Sequence, residues 1–163
     1  MKVYVAGKVS KDSVFGKHHW RDEFCAELSK LSGIELENLD PLKAEQDMTD
    51  YRLIFAKDCQ LINQADVLIA YLSDDISVGG SQEILIARYL HKPVIGLAPK
   101  GGKFNGCTKE MLGQTIENYQ DPFVFSTCDV VCGSVVEVAH ALTLISEVES
   151  KGLQIIDETL ENN

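Results

Sequence analysis

Glu83 stands in the stretch SDDISVGGSQEI (73–84), where a polar, glycine-containing segment turns into a helix pattern. Two readings of it compete. With Gly80 as N-cap, Glu83 falls at the third helical position, where the macrodipole and the reach to the cap N–H favour a glutamate. The same dipole would keep a carboxylate ionised, as a carboxylate nucleophile requires. Gly79 and Gly80 take side chains out of the segment, so a ligand can approach its backbone.

A second carboxylate stands out in the helix pattern over 49–64. Tyr51, Ile54, Phe55, Leu61, Ile62 and Ala65 form an apolar stripe, and helical spacing asks for one more member at position 58. The residue there is Asp58. A carboxylate on a core-facing stripe needs a partner, a raised pKa or an opening to solvent. A salt bridge to Arg52, Lys57 or Arg88 is one resolution; an acid held in a partly dry pocket is the other. One carboxylate kept protonated and one ionised are the equipment for breaking a glycosidic bond.

These groups need a frame, and the rest of the chain supplies an alternation of strand and helix patterns. KVYVA (2–6) is a short β-rich run. HHWRDEFCAELSKL (18–31) places Trp20, Phe24, Leu28 and Leu31 on one helical face, and IELENL (34–39) alternates like an edge strand. ADVLIAYL (65–72) and KPVIGLA (92–98) carry continuous apolar runs of strand length, as central parallel strands buried on both faces do. A helix over 81–91 joins them. A helix near 108–118, the segments DPFVF and CDVVC, and a helix over 134–150 complete the reading.

The expected architecture is α/β: a flavodoxin-like three-layer fold with a five-stranded parallel sheet in the order 2-1-3-4-5. Residues 1–150 are expected as one domain, and 151–163 as an acidic, frayed tail. Ligands of such sheets bind beyond the carboxyl ends of the strands, where strand order reverses. The loops over 7–17 and 73–82 leave two such ends.

Composition narrows the partners. A net charge of −10 disfavours nucleic acid, whose binding depends on Lys and Arg neutralising phosphates. No apolar run approaches the ~20 residues that span a bilayer, and the N-terminus has no secretory pattern. Five cysteines at irregular spacings suit reduced thiols and a cytoplasmic location better than a disulfide framework. The C-x₃-C of Cys128 and Cys132 falls in an apolar segment, so buried small hydrophobes are its default and no metal or other cofactor is expected.

The segments VYVAG (3–7), AKDCQLINQAD (56–66), VLIAYL (67–72) and SVGGSQEILIARYLHKPVI (77–95) together resemble the nucleoside 2-deoxyribosyltransferase family, with its relatives that hydrolyse 2′-deoxynucleoside 5′-monophosphates. The resemblance covers roughly residues 2–98. It implies that Glu83 attacks C1′ of the sugar to form a glycosyl-enzyme, that Asp58 handles the proton of the leaving base, and that the Tyr4 hydroxyl orients Glu83. It further implies that Ser77 meets the 5′ group and that Gly7 passes close to the sugar or phosphate.

Transfer of the deoxyribosyl group to a second base is the implied reaction, and transfer to water the alternative. A homodimer or higher homo-oligomer is implied too, with helix 134–148 as a candidate interface. Ser10 stands where the monophosphate hydrolases carry an arginine. Lys8, Lys11, Lys17, His18 and His19 are the other candidate sources of positive charge. Asp66 is expected to end a turn or to cap the edge of the site rather than react. A phosphoribohydrolase, whose glycine-rich signature GGSQE (79–83) echoes loosely, and a nucleotide-sensing module without turnover are the competing readings.

Overall fold

A computed structural model describes residues 1–7, 20–43, 49–73, 75–150 and 152–161. Lys8, Ser10, Lys11, Lys17, His18 and His19 lie outside these residues. The described chain forms β1 (Lys2–Ala6), α1 (Trp20–Ser32), β2 (Glu37–Asn38), α2 (Tyr51–Gln64), β3 (Val67–Tyr71), α3 (Val78–Tyr89) and β4 (Val94–Leu97). A hairpin follows, β5 (Asn105–Met111) and β6 (Gln114–Gln120). Then come α4 (Pro122–Thr127), β7 (Val130–Cys132), α5 (Val135–Leu144), a short 3₁₀ turn (Ile145–Glu147) and α6 (Gln154–Glu161).

The main sheet is parallel with the order β2-β1-β3-β4-β7, which is the flavodoxin-like order expected when its five strands are counted along the chain. Strand order reverses between β1 and β3. The pleat divides the core in two. Val3, Val5, Val67 and Ile69 face Phe24 and Leu28 of α1 and Val138 and Leu142 of α5. Tyr4, Ala6, Leu68 and Ala70 face Ile62 of α2, Ile84 and Ala87 of α3 and Val124 of α4. Tyr4 is therefore committed by strand alternation to the α2–α3 side.

Four expectations are corrected. Residues 108–118 form no helix but most of the β5–β6 hairpin, which turns at Leu112 and Gly113 with positive φ at both. Neither face of this hairpin is buried, so its strands carry no apolar alternation to read. The edge strand expected over 34–39 narrows to Glu37–Asn38. The stripe of α2 divides into two faces: Ile62 and Ala65 are buried with Leu61 packed beside them, whereas Tyr51 and Phe55 are exposed.

The fourth correction concerns α3. It begins three residues earlier than expected, at Val78, because Ser77 is the N-cap and its Oγ accepts the Gly80 N–H at 3.0 Å. A serine oxygen satisfies an orphan donor that a glycine cap leaves bare. The acidic tail contains α6, and α5 lies on the sheet with Val138, Ala139 and Leu142 buried. Among the described residues no helix is long and apolar enough to cross a membrane.

Candidate active site

Moving the start of α3 removes one of the two readings of Glu83. Counted from Ser77, Glu83 is the sixth helical residue, a full turn beyond the position from which a side chain reaches the cap N–H. Its carboxylate instead folds back along its own helix. Oε1 lies 3.9 Å from the point where a Cβ would stand on Gly79, and Ser77 Oγ lies 3.9 Å from the same point. Gly79 is exposed, so the space it leaves open adjoins solvent, the nucleophile candidate and the 5′-group candidate together.

The other glycines have packing reasons. A Cβ on Gly80 would meet Ile76 Cγ1 at 3.0 Å, and one on Gly7 would meet Trp20 Cη2 at 2.9 Å and Tyr71 Cβ at 3.3 Å. The room at Gly7 is thus occupied by Trp20. Gly7 still ends β1 on the site side, at the reversal of strand order.

Asp58 lies on the inward face of α2 with Leu61 and Ile62, and its Oδ1 is buried without a hydrogen-bond partner. None of the salt bridges considered for it forms. Arg88 is paired in the core with Asp129, and the Lys57 ammonium donates to the Pro41 carbonyl at 3.0 Å. Burial raises the Asp58 pKa, opposed by the charges of Lys57 and Arg21. Asp66 is remote from the site: its carboxylate accepts the Lys2 N–H at 2.7 Å, at the opening end of β1.

Glu83 is pushed up to about 7, first by burial and then by the Asp58 charge, while the Tyr4 hydroxyl and Arg21 hold it down. Desolvation, not the helix dipole, therefore dominates this carboxyl. Tyr4 is fully buried, and burial with the adjacent Glu83 and Asp58 charges drives its pKa above the ordinary tyrosine value. Its hydroxyl comes near enough to Glu83 to favour the carboxylate without meeting the strict geometry of a formed hydrogen bond. A buried O–H with no satisfied partner beside two carboxylates is a donor in waiting.

One member of the site escaped the sequence reading. Arg21, in the first turn of α1, is 3% exposed and acts electrostatically on Tyr4, Asp58 and Glu83. The signal was available: Arg21 stands three, four and seven residues before Phe24, Cys25 and Leu28, all buried on one face. It is a charge at the head of an apolar stripe, the same anomaly that marked Asp58. Among the described residues no group of His, Cys, Asp or Glu is arranged to hold a metal ion.

A site of this kind can keep one proton on two carboxyls, one positioned to attack and one to donate. Like charges in a shared low-dielectric pocket do not both ionise readily.

No protein-family model matches the chain, and no curated protein matches it in sequence. Solved structures do share its fold. A conserved protein from Enterococcus faecalis V583 is 16% identical, with 87% of this chain and 96% of that one covered and a TM-score of 0.59. A 2-deoxyribosyltransferase from Leishmania mexicana is 20% identical over 89% and 97% of the two chains, TM-score 0.58. The 2-deoxyribosyltransferase from Bacillus psychrosaccharolyticus is 15% identical over 85% and 90%, TM-score 0.55. At these identities the likeness is one of fold.

Proposed function

We propose that the protein cleaves the N-glycosidic bond of a 2′-deoxynucleoside or its 5′-monophosphate and passes the deoxyribosyl group to another base. The observation that carries this reading is the convergence of Glu83, Asp58 and Tyr4 at the reversal of strand order, beside the side-chain-free space at Gly79. The fold shared with two 2-deoxyribosyltransferases supports it.

In this mechanism ionised Glu83 attacks C1′ while Asp58 donates its proton to the departing base, which leaves neutral. The Tyr4 hydroxyl steadies the attacking carboxylate. The glycosyl ester is then opened by a second base, with Asp58 accepting its proton, so configuration at C1′ is retained overall. General-acid help of this kind is worth typically about 10²–10⁴-fold.

Transfer to water is the second reading, and one observation favours a 5′-monophosphate as its substrate. Ser77 spends an acceptor lone pair on the Gly80 N–H and keeps its own hydroxyl proton to donate at the open start of a 12-residue helix. The enzyme is read as cytoplasmic, in nucleotide salvage, with five free cysteines consistent with a reducing compartment.

It is read as a homo-oligomer as well. The exposed apolar faces of α2 and α3, with Phe55, Leu85 and Tyr89 around a hollow of about 710 Å³, support this better than α5, whose apolar face covers the sheet.

The test is a panel of deoxynucleosides and their monophosphates, incubated with and without a second base and resolved by chromatography. New nucleoside marks the transferase, and free base with deoxyribose or its phosphate marks the hydrolase. Tight nucleotide binding with no base released over hours would show a sensing module instead. Glu83→Ala should abolish product in either enzymatic case.

A further inference from the structure

Arg21 is a buried cation without a carboxylate at ion-pair distance among the described residues. Its Nε donates to the Val5 carbonyl and its Nη2 to the Gly7 carbonyl, both at 2.9 Å. The guanidinium carbon stands 4.8 Å from the centre of the Trp20 ring, and Nη1 is buried with no hydrogen-bond partner. Two neutral carbonyls and an aromatic face are thin compensation for a charge taken out of water. The fork is nevertheless fixed at the one place where β1 leaves the sheet, next to the Tyr4–Glu83–Asp58 group.

Charge balance explains the arrangement. Two carboxyls holding one proton carry one negative charge, and a single buried guanidinium brings the cluster to neutrality. The charged and titratable groups around Glu83 are Tyr4 from β1, Asp58 from α2 and Arg21 from α1, with Lys57 acting on Asp58. Asp22, Asp40 and Lys43 act on Cys25, one turn along α1 from Arg21. Among the described residues, Arg21 is the one cation that acts on both carboxyls and on Tyr4.

We infer that Arg21 is a positioning residue of this site, clamping the exit of β1 through Val5 and Gly7 and serving as the counter-charge that holds Glu83 ready as a carboxylate. The inference rests on the reading of Glu83 as the nucleophile. A lysine in its place keeps the charge but loses the two-armed fork; a glutamine loses the charge.

The experiment follows Glu83 itself. Protein labelled with ¹³Cδ-glutamate is titrated by NMR as wild type, R21K and R21Q, with the Glu83 signal assigned by its loss in E83Q. The midpoint should move up by about one unit in R21Q, roughly a tenfold loss of the ionised form below the midpoint. It should stay near the wild-type value in R21K. The alkaline limb of the kcat/KM profile should move with it, and R21K should lose kcat through the loosened β1 exit.

A folded R21Q whose Glu83 midpoint is unmoved overturns the inference. Should R21Q not fold, the ¹⁵Nη signals of Arg21 in the wild type decide: they should follow the Glu83 titration and be flat in E83Q, and flat signals in both refute the coupling. Turnover that needs Glu83 without such coupling refutes the role of Arg21 alone. Coupling without any released base refutes the functional reading alone.

Discussion

Glu83 and Gly79 are one helical turn apart on α3, and the Glu83 carboxylate oxygen lies 3.9 Å from the place where Gly79 would carry a methyl group. Ordinary van der Waals contact is all an alanine would meet there, and Gly79 does not have positive φ. Gly79→Ala should therefore fold, and gain about 0.5–1 kcal/mol of helix stability in urea titrations. The same methyl occupies the space assigned to the sugar, so KM should rise at least tenfold. A variant both more stable and fully active would show that the substrate does not pass Gly79.

Burial of Glu83 makes stability depend on pH with a defined sign. Its folded pKa of about 7 stands above the model-compound value of 4.5, so between these the folded protein holds more proton than the unfolded chain. Stability from this group is complete below about 4.5 and is lost as pH rises through about 7. Glu83→Gln should flatten that slope and add on the order of 2 kcal/mol at pH 8, read as a higher Tm, while turnover vanishes. An E83Q protein less stable than wild type at pH 8 would contradict the placement of this carboxyl.

Activity should report the same ionisation. The value of about 7 includes the Asp58 charge, so it marks loss of the last proton the two carboxyls share, and kcat/KM should fall as pH rises through about 7 for bases that leave poorly. On the acid side, uptake of a second proton by the pair should neutralise the attacking carboxylate and lower kcat/KM again. In Asp58→Asn the alkaline limb should disappear and the slowest substrates should suffer most. Persistence of both limbs in that variant would assign the acid to another group.

Ser77 has two separable duties. As N-cap of α3, its replacement by alanine should cost about 1 kcal/mol in chemical denaturation. As the 5′-group contact, the same change should lower kcat/KM for monophosphates relative to nucleosides about tenfold. A stability loss with an unchanged ratio leaves Ser77 as a cap only.

The Arg88–Asp129 pair offers a control away from the chemistry. Both side chains are nearly buried, and Asp129 also accepts the Val94 N–H at 2.8 Å. Asp129→Asn strands a buried guanidinium and should cost about 3 kcal/mol in urea titrations. The pH profile of kcat/KM should be unchanged, since this pair ties the last turn of α3 to the residue before β7 and has no part in the Glu83 cluster.

By itself the sequence determined the sheet and the two carboxyls. Continuous apolar runs at 65–72 and 92–98 can only be central strands of this length, and they appear as β3 and β4. Asp58 was legible because helical spacing makes a charge on an inward face conspicuous. What remained hidden depends on neighbours distant in sequence or on faces without a core. The β5–β6 hairpin, exposed on both sides, has no apolar period to betray it. The start of α3 turned on which of Ser77 and Gly80 could satisfy a backbone donor, and that moved Glu83 from a cap position to the second turn. Arg21 acquired its meaning only when folding carried the first turn of α1 to the end of β1. Spacing along a chain reports which side chains share a face; the field at Glu83 is set by burial and by groups from three other elements, the Asp58 and Arg21 charges and the Tyr4 hydroxyl, and only packing brings those together.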